Sequence, residues 1–229
     1  MVTRAPQLFR DRTEAGSLLG GQVRARHPRD AVVLGLPRGG VPVAAEVARA
    51  LAAPLHVFVV RKLGAPGREE LAIGAIARGG VRVLNGPLIR ELGISPEGLA
   101  AIERRERAEL ERRERLYRDG APAPAVGGRT AIVVDDGLAT GSTMLAAVGA
   151  IRAERPAEVV VAVPVADPEV CAMLEAAADA VVCLHRPHPL RAVGLYYEDF
   201  SQTGDEEVRG LLAAARAEQA RRRPPPLRG

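Results

Sequence analysis

Residues 131–144, AIVVDDGLATGSTM, constrain this chain more than any other stretch of its sequence. Four apolar residues predict a short buried strand, and this strand ends in two adjacent carboxylates, Asp135 and Asp136. A loop of small residues follows, and Ser142 then opens a pattern typical of a helix. The stretch therefore predicts a strand, a turn and a helix, with two acids at the strand's carboxyl end, where ligands bind in α/β sheets.

The loop between the acids and the helix has the composition of a phosphate site. Glycines at its two ends let backbone N–H groups approach an anion, and a helix N-terminus adds its dipole and unsatisfied donors. The acidic pair would repel that anion, so we expect it to accept hydrogen bonds from a vicinal diol instead. A diol and a phosphate on one small molecule indicate a ribose 5-phosphate. The residues of this predicted site are Asp135, Asp136, Gly137, Leu138, Ala139, Thr140, Gly141, Ser142 and Thr143.

Two other phosphate motifs do not fit this stretch. The Walker motif needs a lysine before its Ser or Thr, whereas Gly141 directly precedes Ser142. No G-x-G-x-x-G pattern follows any predicted strand. The alternative that remains is an ordinary strand–turn–helix with two surface aspartates.

Further apolar runs predict the rest of an α/β fold. The run that begins at residue 31 predicts a buried strand, residues 41–52 a helix, and residues 55–63 a second buried strand. A strand, a helix and a strand joined by short links form a βαβ unit, which implies a parallel sheet. With the later runs, we predict a five-stranded parallel sheet flanked by helices, its strands lying near residues 32, 57, 132, 160 and 181.

A second candidate site is the turn at residues 36–40, LPRGG. Consecutive glycines allow a ligand to approach the backbone closely, and the forked guanidinium of Arg38 suits phosphate oxygens. Arg61 and Lys62 are expected to end the second strand at the same edge of the sheet. The alternatives are a plain β–α turn and cations that simply face solvent.

Residues 64–126 interrupt the α/β pattern. Residues 64–85 predict a glycine-hinged hairpin, and residues 94–120 predict a charged helix with solvated Glu–Arg pairs, followed by a linker at 121–128. We therefore expect one domain, residues 1–220, with a core at about 30–63 and 127–187. The inserted hairpin and helix occupy 64–126, a C-terminal hood or tail segment occupies 188–220, and residues 221–229 form a disordered tail.

The stretch at 131–144 closely resembles the phosphoribosyl-pyrophosphate (PRPP) loop of type I phosphoribosyltransferases. Its acidic pair followed by T-G-x-T is specific for that family, and the adenine phosphoribosyltransferase version is the nearest, although Gly137 replaces the usual aliphatic residue. The resemblance covers roughly residues 30–185. It implies the Rossmann-like type I fold, a hood with a flexible hairpin that closes over the site, and a non-proline cis peptide near Arg38.

The resemblance also implies a reaction and the residues that carry it. PRPP, bound with Mg²⁺, would react at ribose C1 as a nitrogenous base displaces pyrophosphate. Asp135 and Asp136 would bind the ribose hydroxyls and touch the metal indirectly, because PRPP carries most of it. The residues expected to bind pyrophosphate are Arg38, Gly39, Gly40, Arg61 and Lys62. Those expected to carry the reaction are Lys62, Arg38, Asp135 and Asp136.

The acceptor base is less constrained by the sequence. Three of the six aromatic residues, Tyr196, Tyr197 and Phe200, lie close together and would either stack on a base or seal the C-terminal segment onto the core. In members that use 6-oxopurines an Asp stands where this chain has Ala139, which argues against hypoxanthine and guanine.

Composition adds a few expectations. The net charge is +4, which suits a polyanionic ligand, and the interleaved acids do not favour nucleic acid as a partner. No apolar run approaches the length of a membrane span, and the N-terminal stretch lacks a signal-peptide core. The two cysteines, Cys171 and Cys183, are scattered in apolar surroundings, so we expect a reduced, cytoplasmic setting. Lys62 is the only lysine among 32 basic residues, a bias typical of a GC-rich genome or a thermophile. A homodimer is compatible with the resemblance.

Two alternatives to the transferase stay open. The same fold serves non-catalytic regulators that sense PRPP or a nucleotide, and a hydrolase of a nucleotide or sugar phosphate would use a similar site. The Arg38–Gly39–Gly40 turn and the hairpin favour the enzyme over the sensor.

Overall fold

The computed structural model describes residues 8–26, 28–118 and 124–222, which form seven α-helices and eight strands. The helices are α1 (Arg12–Ala25), α2 (Gly40–Leu51), α3 (Gly86–Glu91), α4 (Pro96–Arg118), α5 (Ser142–Ala153), α6 (Pro168–Glu175) and α7 (Asp205–Arg222). The strands are β1 (Ala31–Gly35), β2 (Leu55–Val57), β3 (Val60–Ala65), β4 (Arg68–Ala77), β5 (Arg82–Leu84), β6 (Thr130–Val134), β7 (Glu158–Val165) and β8 (Ala180–His185).

The core is a five-stranded parallel sheet in the order β2-β1-β6-β7-β8, which confirms the predicted sheet. Alternate residues of a strand face opposite sides of the sheet. Val33 and Ile132 face the cluster that contains α1, α2 and α7, whereas Val32 and Val133 face the cluster that contains α5 and α6. Both faces of the three central strands, β1, β6 and β7, are therefore buried, which explains why these strands read as unbroken apolar runs.

A second, antiparallel sheet of three strands, in the order β3-β4-β5, lies apart from the core sheet. Pro66 and Gly67 form the turn between β3 and β4, and Gly67 has a φ of 70°, which favours glycine. The predicted hairpin at 64–85 is thus present, with one strand more than expected.

That extra strand corrects the prediction of a single strand at residues 55–63. The chain leaves the edge of the core sheet after Val57, and β3 pairs with β4 in the second sheet. Phe58 and Val59 between them are both buried. A continuous apolar run cannot reveal this break, because residues buried on all sides look the same in sequence whether the strand continues or bends away.

The predicted charged helix begins and ends close to its expected limits but is not fully solvated. The Ser95 hydroxyl accepts from Gly98 N at 3.1 Å and caps α4. Leu99, Leu110 and Tyr117 are buried, and so is the carboxylate of Glu106. One face of α4 therefore belongs to the core, and this face carries a charged residue whose partner lies on another element.

Some predictions fall outside the described residues: the first part of the linker, 121–123, and the tail at 223–229. Residues 221 and 222, predicted as disordered, continue α7. No helix in the described parts of the chain combines the length and apolar character needed to cross a membrane.

Candidate functional site

The carboxyl ends of β1 and β6 form the topological switch point of the core sheet. From β1 the chain moves to β2 on one side, and from β6 it moves to β7 on the other. Ligands of open α/β sheets bind in the crevice at such a point. Leu36 N donates to Val134 O at 2.9 Å, so the pairing continues just past β1. The two predicted loops, 36–40 and 135–141, therefore start side by side.

The turn at 36–40 leads directly into α2, whose first residue is Gly40. The Pro37–Arg38 peptide bond is cis, as the resemblance implied. The Arg38 side chain is 36% exposed, and its Nη1 lies 3.9 Å from Asp205 Oδ1 at the start of α7. An ion pair at this distance and exposure is weak, so the Arg38 guanidinium remains accessible to a ligand anion that binds it more tightly.

Glycine is required where the two loops meet. A Cβ atom on Gly39 would lie 2.0 Å from Asp136 Oδ2, and one on Gly40 would lie 2.7 Å from Val134 O. Real Cβ atoms do not approach other atoms so closely, so either substitution would push the loops apart. The backbone of the 36–40 turn therefore rests directly on the acidic pair.

The acidic pair is held by partners from three parts of the chain. Asp135 Oδ1 accepts from Asp136 N at 2.9 Å. Arg12 Nε, from α1, donates to Asp136 Oδ2 at 2.8 Å, and both side chains are largely buried. Tyr197 Oη donates to the Asp136 carbonyl at 2.6 Å. Asp136 is thus fixed through both its side chain and its backbone.

Burial dominates the electrostatics of this pair. It raises the pKa of Asp135 well above the usual range, and the negative charge of Asp136 raises it further. Burial also raises the pKa of Asp136, while the hydrogen bond and charge of Arg12 oppose that change. The arrangement places one buried cation beside two carboxyl groups, which lowers the net negative charge that a neighbouring phosphate would meet.

The predicted phosphate loop has the expected strand–turn–helix geometry. Gly141 has a φ of 69° and precedes α5, which begins at Ser142 as predicted. Thr140 Oγ1 and Ser142 Oγ lie 3.3 Å apart at the helix N-terminus. A Cβ on Gly137 would lie 2.4 Å from Val193 Cγ1, so the space that an aliphatic side chain would take here is filled by the C-terminal segment.

Arg61 and Lys62 do not end a strand of the core sheet; they lie within β3, opposite Ile76 and Ala75 of β4. Arg61 Nη2 and Nε both donate to Glu106 Oε2 on α4, at 2.6 and 2.9 Å. Arg61 therefore already has a buried carboxylate as its partner. This ion pair joins the second sheet to the charged helix.

A cleft of about 370 Å³ runs between the 36–40 turn, β3, α4 and the start of α5. Four of its lining residues are basic and two are acidic. The lining consists of Pro37, Val60, Arg61, Lys62, Gly64, Glu69, Arg105, Glu106, Arg113 and Thr143. The cleft thus brings Lys62 and Arg61 to the same space as the 36–40 turn, although through a different strand arrangement from the one predicted.

The aromatic residues near the C-terminus pack against other parts of the protein, as expected if they seal the C-terminal segment onto the core. Tyr197 is 5% exposed, and its ring lies 5.4 Å from that of Phe9 and 4.9 Å from that of Phe200. The Phe200 ring also stacks under the Arg12 guanidinium at 4.0 Å. None of the three predicted residues, Tyr196, Tyr197 and Phe200, lines the basic cleft.

Sequence reasoning missed Arg12 and Glu106. Asp11 caps α1 by accepting from Glu14 N at 2.8 Å, so a D-x-x-E capping pattern places Arg12 in the first turn. A cation there opposes the helix dipole, and this conflict is a signal that the residue has another partner. Glu106 has no comparable signal, because it is one of many acids on α4.

The described residues contain no cluster of three or more His, Cys, Asp or Glu side chains arranged to hold a metal ion. His188 Nδ1 lies 3.1 Å from Asp167 Oδ2, and the His185 ring packs 5.0 Å from that of Phe9. Both histidines therefore have structural neighbours.

Comparison with known proteins places these features in a family. Residues 62–199 match the family described as "Phosphoribosyl transferase domain". A Mycobacterium tuberculosis protein of strain H37Rv, "Putative phosphoribosyl transferase Rv0571c", is 46% identical over 209 residues. That match covers 91% of this chain and 47% of the relative, so the chain spans about half the length of the curated relative.

A solved structure shares nearly the whole fold. The crystal structure of TT1426 from Thermus thermophilus superposes with a TM-score of 0.85 and 45% sequence identity. The superposition covers 90% of this chain and 98% of TT1426.

Proposed function

The chain belongs to the phosphoribosyltransferase family and has its type I fold, and we propose that it transfers ribose 5-phosphate from PRPP to a nitrogenous base and releases pyrophosphate. The observation that carries this proposal is the contact between the two loops at the switch point. A turn with Arg38 and two glycines rests on an acidic pair that precedes a phosphate-type helix N-terminus. PRPP needs these three subsites side by side, because it carries a pyrophosphate, a diol and a phosphate.

Each part of PRPP has a proposed partner. Asp135 and Asp136 accept hydrogen bonds from the ribose hydroxyls, and the loop from Ala139 to Thr143 binds the 5-phosphate with its backbone N–H groups and hydroxyls. Arg38, Gly39, Gly40 and Lys62 hold the pyrophosphate as negative charge builds on it. Catalysis then comes mostly from positioning and electrostatics, as the sugar develops oxocarbenium-like character at C1.

Magnesium fits this site as an ion carried by the substrate. Mg²⁺ often takes one or two carboxylates and fills its remaining positions with phosphate oxygens and water. The site offers the two aspartates and no larger ligand cluster among the described residues, which suits that mode. When bound, the ion would neutralise charge on the leaving pyrophosphate.

Ala139 replaces the Asp that 6-oxopurine enzymes use, so we expect a base other than hypoxanthine or guanine. The base-stacking role of Tyr196, Tyr197 and Phe200 stays a prediction, and the burial of Tyr197 makes it the weakest of the three candidates.

The test is pyrophosphate release from PRPP and Mg²⁺ with a panel of purine, pyrimidine and pyridine bases. We expect release with one class of base, and we expect Asp135→Asn to abolish it. Asp30→Asn is the matched control, because the Asp30 side chain is 71% exposed and lies at the end of β1 opposite the 36–40 turn. Tight PRPP binding without release for any base would contradict the transferase and favour the PRPP sensor.

A further inference from the structure

We propose that Arg12 is a positioning residue for the ribose subsite, fixing the Asp136 carboxylate and offsetting its charge where PRPP binds; this inference rests on the proposed function. Arg12 belongs to α1, which lies outside residues 62–199 that match the family. It therefore adds to the site a residue from outside the matched region of the chain.

The Arg12 side chain is buried and held in place by several contacts. Its side chain is 12% exposed, and Nε donates to Asp136 Oδ2 at 2.8 Å. Its Nη1 donates to the Ser201 carbonyl at 2.7 Å. The Phe200 ring stacks 4.0 Å from the guanidinium carbon. Two hydrogen bonds and one aromatic face thus hold the planar group in a single orientation, which a flexible surface arginine would not keep.

The segment that carries Arg12 is itself anchored. Residues 9–12 and 196–201, which we call the terminal clasp, run beside each other. Phe9 N donates to Tyr196 O at 2.9 Å, and Glu198 N donates to Phe9 O at 2.8 Å. Asp199 N donates to Arg10 O at 2.8 Å. The terminal clasp is therefore a backbone-bonded unit, and its position determines where the guanidinium lies.

The terminal clasp contacts Asp136 twice. Arg12 binds its carboxylate, and Tyr197 Oη donates to its carbonyl at 2.6 Å. The Asp136 carboxylate also lies against the Gly39 backbone, next to the Arg12 guanidinium. These contacts hold Asp136 in place, and two of them come from the terminal clasp.

Charge gives Arg12 a second role. Two adjacent carboxylates beside a phosphate loop would repel the phosphates of PRPP. A buried guanidinium bonded to one of them cancels one negative charge without occupying the loops that bind phosphate. Loss of Arg12 should thus weaken ligands that contain ribose most, because they lose both the fixed Asp136 carboxylate and the charge compensation. Inorganic pyrophosphate has no diol, so it should lose only the contribution of the charge.

The experiment compares Arg12→Met, Arg12→Lys and the control Arg10→Met by calorimetric binding of PRPP with Mg²⁺, ribose 5-phosphate and inorganic pyrophosphate. Arg10 is the matched control, since it lies in the same segment but its side chain is 71% exposed and pairs with Glu14. For Arg12→Met we expect affinity for PRPP and ribose 5-phosphate to fall by about tenfold or more, and that for pyrophosphate, which loses only the charge compensation, by about threefold or less. Arg12→Lys should recover part of the loss, because it keeps the charge.

Several outcomes would overturn the inference. Equal weakening of all three ligands by Arg12→Met would contradict the positioning role, since pyrophosphate has no diol for Asp136 to bind. If Arg12→Met does not fold, Arg12→Lys decides: unchanged ribose 5-phosphate binding would contradict positioning by the paired hydrogen bonds. A wild-type protein that binds pyrophosphate but neither ribose ligand would overturn the proposed function as well, whereas wild-type PRPP binding with an unaffected Arg12→Met would overturn this inference alone.

Discussion

The two walls of the candidate site are built in different ways. At the edge of the core sheet, loops 36–40 and 135–141 touch through backbone and glycine, with no space for a methyl group at Gly39. Across the cleft, β3 and α4 share the apolar core and are also joined by long charged side chains, the Arg61–Glu106 pair. Backbone contacts of this kind cannot relax without moving a loop, whereas ion pairs between long side chains can shift or exchange partners. We therefore expect the sheet edge to fix ligand geometry and the opposite wall to tolerate change.

The largest effect is expected from Gly39→Ala, which tests the rigid wall. The new Cβ would lie 2.0 Å from Asp136 Oδ2, so the turn or the carboxylate must move. Misplacing a site by about 1 Å can cost roughly 100-fold in rate, and we expect a loss of that order in pyrophosphate release. Gly210→Ala on α7 is the control, since no atom lies within 4 Å of its Cβ position. Near-normal release by Gly39→Ala would show that this wall can relax.

An intermediate effect is expected from Glu106→Gln on the opposite wall. The neutral amide would leave Arg61 and Arg105 without their charged partner, and the Glu106 side chain is only 9% exposed. Because Arg61 remains partly solvated, we expect a loss of about 1–3 kcal/mol in the free energy of unfolding. Urea unfolding measures it, with Glu111→Gln as the control at an exposed pair. A fall in pyrophosphate release as large as that of Gly39→Ala would contradict the distinction between the walls.

The smallest effect is expected from Tyr117→Phe, at a contact that links the two regions. Tyr117 Oη, on α4, donates to Asp205 Oδ1 at 2.7 Å, and Asp205 also lies near Arg38. Removing this hydrogen bond should cost about 1 kcal/mol or less at neutral pH.

The same contact predicts a pH dependence. Burial, with help from the hydrogen bond to Asp205, raises the pKa of Tyr117 to about 12. In the unfolded chain the Tyr117 hydroxyl loses its proton near pH 10. The contribution of the protonated side chain to the free energy of unfolding is therefore complete below about pH 10 and is lost as pH rises through about 12. The difference in the free energy of unfolding between the wild type and Tyr117→Phe, measured by urea unfolding, should therefore decrease between about pH 10 and 12. A difference that stays constant or increases would contradict the assignment.

Much of the core could be predicted because its signals are local. The strand at Thr130–Val134, the acids that follow it and the helix start at Ser142 depend on residues that are neighbours in sequence. The five strands followed from apolar runs, and their parallel direction followed from short βαβ links. The cis bond at Pro37–Arg38 also agrees with what the family resemblance implied.

The second sheet and its helix were harder to predict, for a physical reason. The apolar run at 55–63 does not show that the chain turns out of the core sheet after Val57, because residues 57–60 are buried on both sides of the turn. The interleaved charges of α4 suggested a solvated helix, although Glu106 is buried against Arg61. The periodicity of apolar residues indicates which residues are buried, but it does not indicate the helix or strand against which they pack.

The sequence by itself determined the chemistry of the site: an acidic pair, a small-residue loop and a glycine turn, each complete within a few residues. Only the tertiary structure decided which side chains hold that chemistry in place. Arg12 and Asp136 are 124 positions apart, and Arg61 and Glu106 are 45 apart. Side-chain partners so distant in sequence are brought together by the packing of helices and sheets, and no local pattern records that packing.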